Sequence, residues 1–319
     1  MFQSLARLLA TLLHAALVFG LAPLLAGLIA KYRARLLGRR GPSVLQPYHE
    51  LRRLLHKTTL LPETMTELFA LWPLVAFSAL AAAALLIPGF CTGMLDPSLG
   101  DIITLVGLLA LARAALLLAG LETGFGFGGA TAARIALLSL FAEAILLVVL
   151  LSLALATHAT TLNGIIRAQQ AHPGAAVSLG FALLSLLAVA LAENDRIPAE
   201  SGGDDQEPAM AHAALALEYS GRYLLLLEYT TMLRLMLWIS LIAALFFPFF
   251  MARAADPLTW PAGLILWSAK LTVLAAALSL FEVCTARIRL FRVPEFLGLA
   301  MLLGILSCVL LFISQQAGG

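Results

Sequence analysis

Residues 134–157 read RIALLSLFAEAILLVVLLSLALAT, and this stretch decides the fold class. A helix needs about 20 apolar residues to cross the hydrocarbon core of a bilayer. The interior of this stretch contains one ionisable group, Glu143. The whole chain has the same character: 61% of its residues are hydrophobic and 12% are charged, whereas about a quarter of a soluble domain is charged. We therefore predict an all-α polytopic membrane protein.

Seven further stretches are similar in length and apolarity, so about eight transmembrane helices are predicted. The first is interpreted as a span because it is too long for a signal-peptide core and a charged loop follows it. The sixth contains Pro248 and is expected to tilt or kink. Residues 1–319 are expected to form one integral-membrane helical bundle. The predicted spans are roughly 5–30, 66–88, 99–120, 134–157, 175–193, 222–251, 259–283 and 295–315.

Lysine and arginine are concentrated in the odd-numbered loops, above all in residues 31–57 and 287–292. Because these residues favour the cytoplasmic side, we expect the odd-numbered loops in the cytoplasm and both termini outside. The net charge is only +2, so no nucleic-acid partner is expected. The apolar spans are expected to contact the lipid bilayer. The polar stretch 194–212 is too short to fold alone and is expected to pack on the bundle or on a partner.

Several ionisable groups lie within or beside the predicted spans, where a charge costs at least about 2.5–3.5 kcal/mol on insertion scales. Their depths, taken from a rise of about 1.5 Å per residue, form a graded series from the odd-loop side to the membrane centre. We hypothesise a polar axis for proton transfer; ion pairs that only orient the bundle are the alternative. The groups are Arg113, Glu143, Glu228, Arg234 and Lys270, with Glu122, Glu193, Glu218 and Glu282 near span ends.

Local patterns give three further expectations. Glu218 and Arg222 are four residues apart, so on one helix they would share a face and could pair. The turn-rich residues 41–48 lead into an amphipathic stretch, 49–57, that is expected to lie along the membrane surface. Four glycines are expected to permit a tight loop rather than to form a nucleotide site, because no strand precedes them. They are Gly124, Gly126, Gly128 and Gly129.

The chain also resembles the subunit-1 family of respiratory NADH dehydrogenase (complex I). The resemblance is strongest to the formate hydrogenlyase subunit 4 and hydrogenase-4 component C branch of energy-converting NiFe-hydrogenases. It covers most of the chain, and the order and spacing of its segments match. These are RGPSVLQPY at 40–48, LETG at 121–124 with Gly128 and Gly129, AE at 142–143, ENDRIP at 193–198, LEYSG at 217–221 and ARIRLFRVPE at 286–295.

This resemblance implies a tilted helix bundle in the inner membrane of a bacterium, with cytoplasmic loops docked on partner subunits. The implied partners are a hydrogenase-like large subunit, an iron–sulfur small subunit and antiporter-like membrane subunits. Iron–sulfur clusters and a NiFe centre are expected in those partners. No cofactor is expected in this chain, because its cysteines and histidines lack metal-ligand spacing.

The resemblance and the buried charges together give two sets of candidate residues. The first set is expected to carry a proton path: Glu143, Glu193, Glu218, Glu228, Lys270 and Arg234. The second is expected in loops that dock partner subunits: Arg40, Gln46, Tyr48, Glu122, Arg134, Arg196, Arg222, Arg287, Arg289 and Arg292.

Three positions depart from the pattern of the hydrogenase branch. Ile135 follows Arg134 where that branch usually has glutamate, Ala144 stands for a proline, and Ala213 follows His212 in place of glutamate. Two carboxylates expected near the cytoplasmic mouth are therefore missing.

The function expected is that of a non-catalytic membrane subunit that anchors a peripheral redox arm and contains part of a proton path. A quinone-chamber subunit of NADH:quinone oxidoreductase is one alternative. A stand-alone ion-coupled transporter is another, although the inverted repeats that would favour it are not apparent. A structural anchor would not need charges on five spans.

Overall fold

The computed structural model describes residues 2–59, 66, 68–94, 100–124, 126–171, 177–196, 199–200, 211–284, 288–289 and 293–317. Within these ranges the chain forms eleven α-helices and four strands of two residues each. The helices are α1 (Phe2–Leu36), α2 (Gln46–Leu55), α3 (Leu68–Leu86), α4 (Ile102–Glu122), α5 (Gly126–Thr157), α6 (Leu162–Ala171), α7 (Val177–Glu193), α8 (Ala211–Glu218), α9 (Gly221–Phe246), α10 (Trp260–Cys284) and α11 (Val293–Ala317). The strands are β1 (Cys91–Thr92), β2 (Ala199–Glu200), β3 (Ala252–Arg253) and β4 (Ile288–Arg289).

The structure confirms an all-α polytopic membrane protein. Seven of the described helices are long and apolar enough to cross a membrane: α1, α3, α4, α5, α9, α10 and α11. The predicted fifth span corresponds to α7, which has 17 residues and lies at the short end of the range for a crossing helix.

Contacts between loops indicate that α7 also crosses. The segment before it lies with the even-numbered loops, because Gln170 of α6 donates a hydrogen bond to the Pro248 carbonyl (2.7 Å). The segment after it lies with the odd-numbered loops, because β2 pairs in parallel with β4. Helix α7 therefore connects the two ends of the bundle, as an eighth span would.

Further contacts sort several of the described loops into two groups, one at each end of the bundle. Strand β1 of the second loop pairs with β3 of the sixth loop. Asp101, in the second loop, forms a bridge with Thr161 of the fourth. At the other end, Gly221 lies so close to the first loop that a Cβ atom there would be 2.8 Å from Thr59 Cγ2.

Helix α9 runs through the centre of the bundle and is buried on nearly all sides, including the large side chain of Trp238. It packs against α1, α3 and α10, while α7 packs against α11 and α5. The outer helices α10 and α11 present leucine, isoleucine and valine side chains outward. Because the solvent at this depth is hydrocarbon, these side chains are suited to contact lipid.

The predicted surface helix is present as α2 and packs against α1 and α9. The Tyr48 hydroxyl donates a hydrogen bond to the Gly20 carbonyl of α1. The turn before α2 comes so close to α1 that a Cβ at Gly27 would lie 2.2 Å from the Val44 carbonyl oxygen. The tight loop predicted at the four glycines is present only around Gly124, which has φ +65° between the end of α4 at Glu122 and the start of α5 at Gly126. Gly126, Gly128 and Gly129 lie in α5 instead.

Two local predictions were wrong. The sixth span does not continue through Pro248, because α9 ends at Phe246; the residue before a proline disfavours the helical conformation, so a helix usually ends there. Glu218 and Arg222 do not share a helix, because α8 ends at Glu218 and α9 begins at Gly221, whose φ is +56°.

Candidate functional site

A cluster of buried charges lies where α4, α5 and α7 meet. Arg113 Nη1 is 3.0 Å from Glu193 Oε1, and both side chains are almost fully buried. Arg113 Nε is 3.5 Å from Glu143 Oε1, and the Glu143 side chain is 36% exposed. One guanidinium therefore bridges two carboxylates, one buried and one at the border of the bundle.

The helices explain why these three residues meet. Arg113 lies in the second half of α4, which packs against α5. Glu143 lies near the middle of α5, and Glu193 is the last residue of α7. Because α7 is short, Glu193 at its end lies beside the middle parts of the longer helices α4 and α5 instead of projecting beyond them.

The chain reverses directly after α7 and adds another carboxylate. Asp195 lies in this turn with φ 50°, a left-handed conformation that aspartate and asparagine tolerate better than most residues. Arg234 of α9 is buried and interacts electrostatically with both Glu193 and Asp195. Arg134 of α5 also acts on Asp195. We refer to Arg113, Arg134, Glu143, Glu193, Asp195 and Arg234 as the Arg113 cluster.

Asp195 lies outside the membrane spans, and its surroundings in the cluster shift the pKa of its carboxyl group. Burial raises the pKa of its carboxyl, and the negative charge of Glu193 acts in the same direction. The positive charges of Arg234, Arg134 and Arg196 oppose that rise. An acid with a raised pKa can accept a proton closer to neutral pH than an exposed aspartate can.

The cluster contains three arginines and three carboxylates, so its formal charges balance. Balance matters here because an unpaired charge in a low-dielectric interior costs several kcal/mol. Protonating one carboxylate leaves a net positive charge, which favours release of that proton to a neighbouring carboxylate or out of the cluster. A balanced set of this kind can pass a proton between carboxylates without a bound ion.

A second ion-pair group lies at the same end of the bundle. Arg196 Nη1 is 3.0 Å from Glu282 Oε1, and Arg33 Nη1 is 3.8 Å from Glu282 Oε2. Glu282 is buried, whereas Arg196 is partly exposed and Arg33 more so. These contacts join α1, the turn after α7, and α10.

The structure does not bring all predicted path residues together. Glu193, Glu143 and Arg234 belong to the Arg113 cluster, but Glu228 faces elsewhere on α9 and interacts electrostatically with Glu50 of α2. Lys270 of α10 donates a hydrogen bond to the Phe249 carbonyl (2.7 Å), which follows α9 at the opposite end of the bundle. Glu218 is the last residue of α8.

The predicted docking residues differ in their surroundings. Arg40 and Arg222 are exposed on the odd-loop side, and Gln46 donates a hydrogen bond to Glu50 (2.9 Å). Glu122 accepts hydrogen bonds from Trp72 Nε1 (2.6 Å) and from the Thr66 hydroxyl. Arg287 and Arg292, and the side chain of Arg289, lie outside the described part of the chain.

Ile135, the most informative departure from the branch pattern, has a structural role. Its side chain is 5% exposed and packs in an apolar cluster with Leu116, Leu215 and Tyr219. A glutamate at this position would place a carboxylate among apolar side chains. The side chain of Ala213 lies outside the described part of the chain.

Two residues of the Arg113 cluster were absent from both sets of candidate residues predicted from the sequence. Arg113 was recognised as an intramembrane charge but was not placed among the path residues. Asp195 was noticed only as part of the ENDRIP segment. Arg113 lies on α4 opposite two carboxylates, but such a pairing between helices cannot be derived from one sequence. In the described residues, no group of three or more histidine, cysteine, aspartate or glutamate side chains is arranged to hold a metal ion.

Comparison with known proteins gives a consistent result. A family model described as NADH dehydrogenase matches residues 8–314. Formate hydrogenlyase subunit 4 of Escherichia coli (strain K12) is 29% identical over 285 residues, which cover 89% of this chain and 92% of that protein. Hydrogenase-4 component C of the same organism is 30% identical over 298 residues, covering 93% of this chain and 94% of that protein.

The fold also matches a solved structure. A chain of the membrane-bound sulfane sulfur reductase, an archaeal respiratory membrane complex, superimposes with a TM-score of 0.79 and 17% sequence identity. The match covers 96% of this chain and 99% of that chain. At this identity the comparison establishes the fold alone.

Proposed function

Because the chain belongs to the NADH dehydrogenase family, we propose that it is the membrane subunit of an energy-converting redox complex of the formate hydrogenlyase or hydrogenase-4 type. In this role it anchors a peripheral iron–sulfur and hydrogenase arm in the bacterial inner membrane. The relatives that match almost the whole chain carry the names of subunits of such complexes. The iron–sulfur clusters and the NiFe centre belong to partner subunits.

The observation that carries this proposal is the buried bridge from Arg113 to Glu193 and Glu143. A subunit that served only as an anchor would gain little from it, since apolar packing often gives equal or greater stability than a buried ion pair. Ionisable groups inside a membrane bundle typically mark ion pathways. We assign the Arg113 cluster to the part of the proton path nearest the odd-loop side.

The path begins at Asp195, whose raised pKa suits it to accept a proton near the odd-loop surface. Glu193 and Glu143 come next, each held by a different nitrogen of the Arg113 guanidinium. Arg113 and Arg234 stay protonated and keep the carboxylates acidic enough to release the proton. The partly exposed Glu143 then offers the proton to the border of the bundle, where antiporter-like membrane subunits are the proposed partners.

Glu218, Glu228 and Lys270 are further candidates along this route, but they lie apart from the cluster. A path that included them would need connecting groups from water or from a partner. The odd-loop face, with Arg40 and Arg222 exposed, is the proposed docking face for the peripheral arm and would then face the cytoplasm.

The direct test is a mild-detergent pull-down of the tagged chain, with mass spectrometry of the recovered proteins. We expect a NiFe-hydrogenase-like large subunit and an iron–sulfur small subunit. NADH-oxidising and quinone-site subunits would instead indicate the quinone-chamber function. Recovery of the chain alone would contradict the proposal and favour a stand-alone transporter.

A matched pair of variants tests the docking face. Arg222→Glu reverses an exposed charge on the odd-loop side, and Arg253→Glu reverses an exposed charge on the opposite side. Arg222→Glu is expected to lower recovery of the peripheral subunits, while Arg253→Glu leaves it unchanged. Equal recovery with both variants would remove the odd-loop face as the docking site.

A further inference from the structure

A cleft opens between α10 and the α7–α11 pair, and the central helix α9 forms its floor. Its volume is about 480 Å³, within the range of about 300–1,000 Å³ that is usual for small-molecule sites. Trp238 of α9 lies on the floor, Leu278 and Phe281 of α10 on one wall, and Leu299 of α11 on the other. The lining is almost entirely apolar, except for Asn194 and Arg196 at one end.

The cleft has the length of one bilayer leaflet. Its lining extends from Leu184 of α7 to Asn194, the residue after α7, which corresponds to a rise of about 15 Å. The hydrocarbon core of a bilayer is about 30 Å thick, so one leaflet is about 15 Å. The polar end lies at the odd-loop side, where α7 and α10 end and α11 begins.

Water is a poor occupant of the cleft, because apolar cavities stay dry.

The polar end carries a net positive charge. Arg196, which lines the cleft, and Arg33 share one carboxylate, Glu282. Two guanidinium groups around one carboxylate leave one formal positive charge, and both arginines remain partly exposed. Leu184 and Leu299, on the walls, are exposed at the surface of the bundle, so the cleft is open to the membrane from the side.

We propose that this cleft binds an anionic phospholipid of the odd-loop leaflet, with one acyl chain between α7, α9, α10 and α11 and its phosphate at Arg196. The length, the apolar lining, the lateral opening and the positive charge at the leaflet surface each match one part of that molecule. The lipid would fill a gap between helices that protein side chains leave empty, and so would fix α10 against the rest of the bundle.

Two neighbouring alanines of α10 provide a matched test. Ala277 lines the cleft, whereas Ala276 is exposed but does not line it. Ala277→Phe would place a ring in the space of the acyl chain, and Ala276→Phe would place the same ring outside it. Each protein is purified in mild detergent with whatever subunits accompany it, washed of loose lipid, and analysed by native mass spectrometry and lipid extraction.

We expect one phosphatidylglycerol or cardiolipin per wild-type chain, at least fivefold less in Ala277→Phe, and wild-type retention in Ala276→Phe. Equal retention in Ala277→Phe, a retained isoprenoid quinone, or no retained lipid in the wild type would overturn the proposal. If Ala277→Phe is poorly folded, Arg196→Gln provides the second test after exchange into defined vesicles. It should lose the wild-type preference for phosphatidylglycerol over phosphatidylcholine, and an unchanged preference would also overturn the proposal.

Discussion

The guanidinium of Arg113 lies 3.0 Å from the carboxylate of Glu193, although 80 residues separate them in the sequence. Both side chains are buried, so the pair joins α4 to the end of α7 in a low-dielectric interior. Bringing two charges into such an interior costs several kcal/mol per ion, and their attraction offsets this cost only when both are present. The stability of the bundle and the availability of these carboxylates for proton transfer therefore depend on the same contact.

Arg113→Leu is expected to lower the free energy of unfolding by about 3–5 kcal/mol, because it leaves Glu193 charged, buried and without this partner. The measurement is thermal or denaturant unfolding of the purified chain in detergent. Arg113→Leu combined with Glu193→Leu should recover most of the loss, because an apolar pair replaces the ion pair. If the double variant is as unstable as the sum of the two single variants, the two charges do not stabilise each other.

The pH dependence of Asp195→Asn follows from the raised pKa of the aspartate. The folded protein binds the proton at Asp195 more tightly than the unfolded chain does, where the pKa is about 3.9. The stability from this group is therefore fully present below pH 3.9 and is lost as the pH rises through the folded-state pKa.

Asparagine does not titrate and tolerates the left-handed backbone at this position. The Tm of Asp195→Asn minus that of the wild type is thus expected to increase from pH 4 to pH 7. A Tm difference that is constant over this range would show that Asp195 is not perturbed.

Gly221→Ala should weaken the contact between the first loop and the start of α9. A left-handed conformation costs a residue with a Cβ roughly 1–2 kcal/mol. The new methyl group would also lie 2.9 Å from the Thr58 carbonyl oxygen. Gly298→Ala on α11 is the control, because nothing lies within 4 Å of its Cβ position. The control should be neutral or more stable by up to about 1 kcal/mol; equal Tm values for both variants would argue against the packing at Gly221.

Lys270→Met is expected to impair ion translocation while leaving assembly of the complex intact. Its charge lies within α10 and is half-buried, and the hydrogen bond to the Phe249 carbonyl holds it near the end of α9. Methionine keeps most of the length of the side chain and removes the charge. Translocation by an assembled variant at the parental rate would place Lys270 outside the proton path.

The sequence was enough to predict the helices but not the way in which their charges combine. Long apolar stretches identify spans directly, so the fourth predicted span ends at the same residue as α5, Thr157. Depth along a helix could also be derived from the rise per residue, but the facing direction of each side chain could not. For this reason Glu228 and Arg234, six residues apart on α9, were placed on one axis, although they face different neighbours. The short helices α6 and α8 lack the length that makes a span recognisable.

The most direct test of the account is the number of protons translocated per electron pair by the assembled complex with Glu143→Gln. Inverted membrane vesicles that turn over hydrogen would be assayed with a pH-sensitive dye, alongside a hydrogen assay. Glu295→Gln, an exposed carboxylate in the first turn of α11, serves as the control. We predict that Glu143→Gln assembles, turns over hydrogen and translocates few or no protons, while the control matches the wild type. Wild-type proton translocation by an assembled Glu143→Gln complex would contradict the assignment of the Arg113 cluster to the proton path.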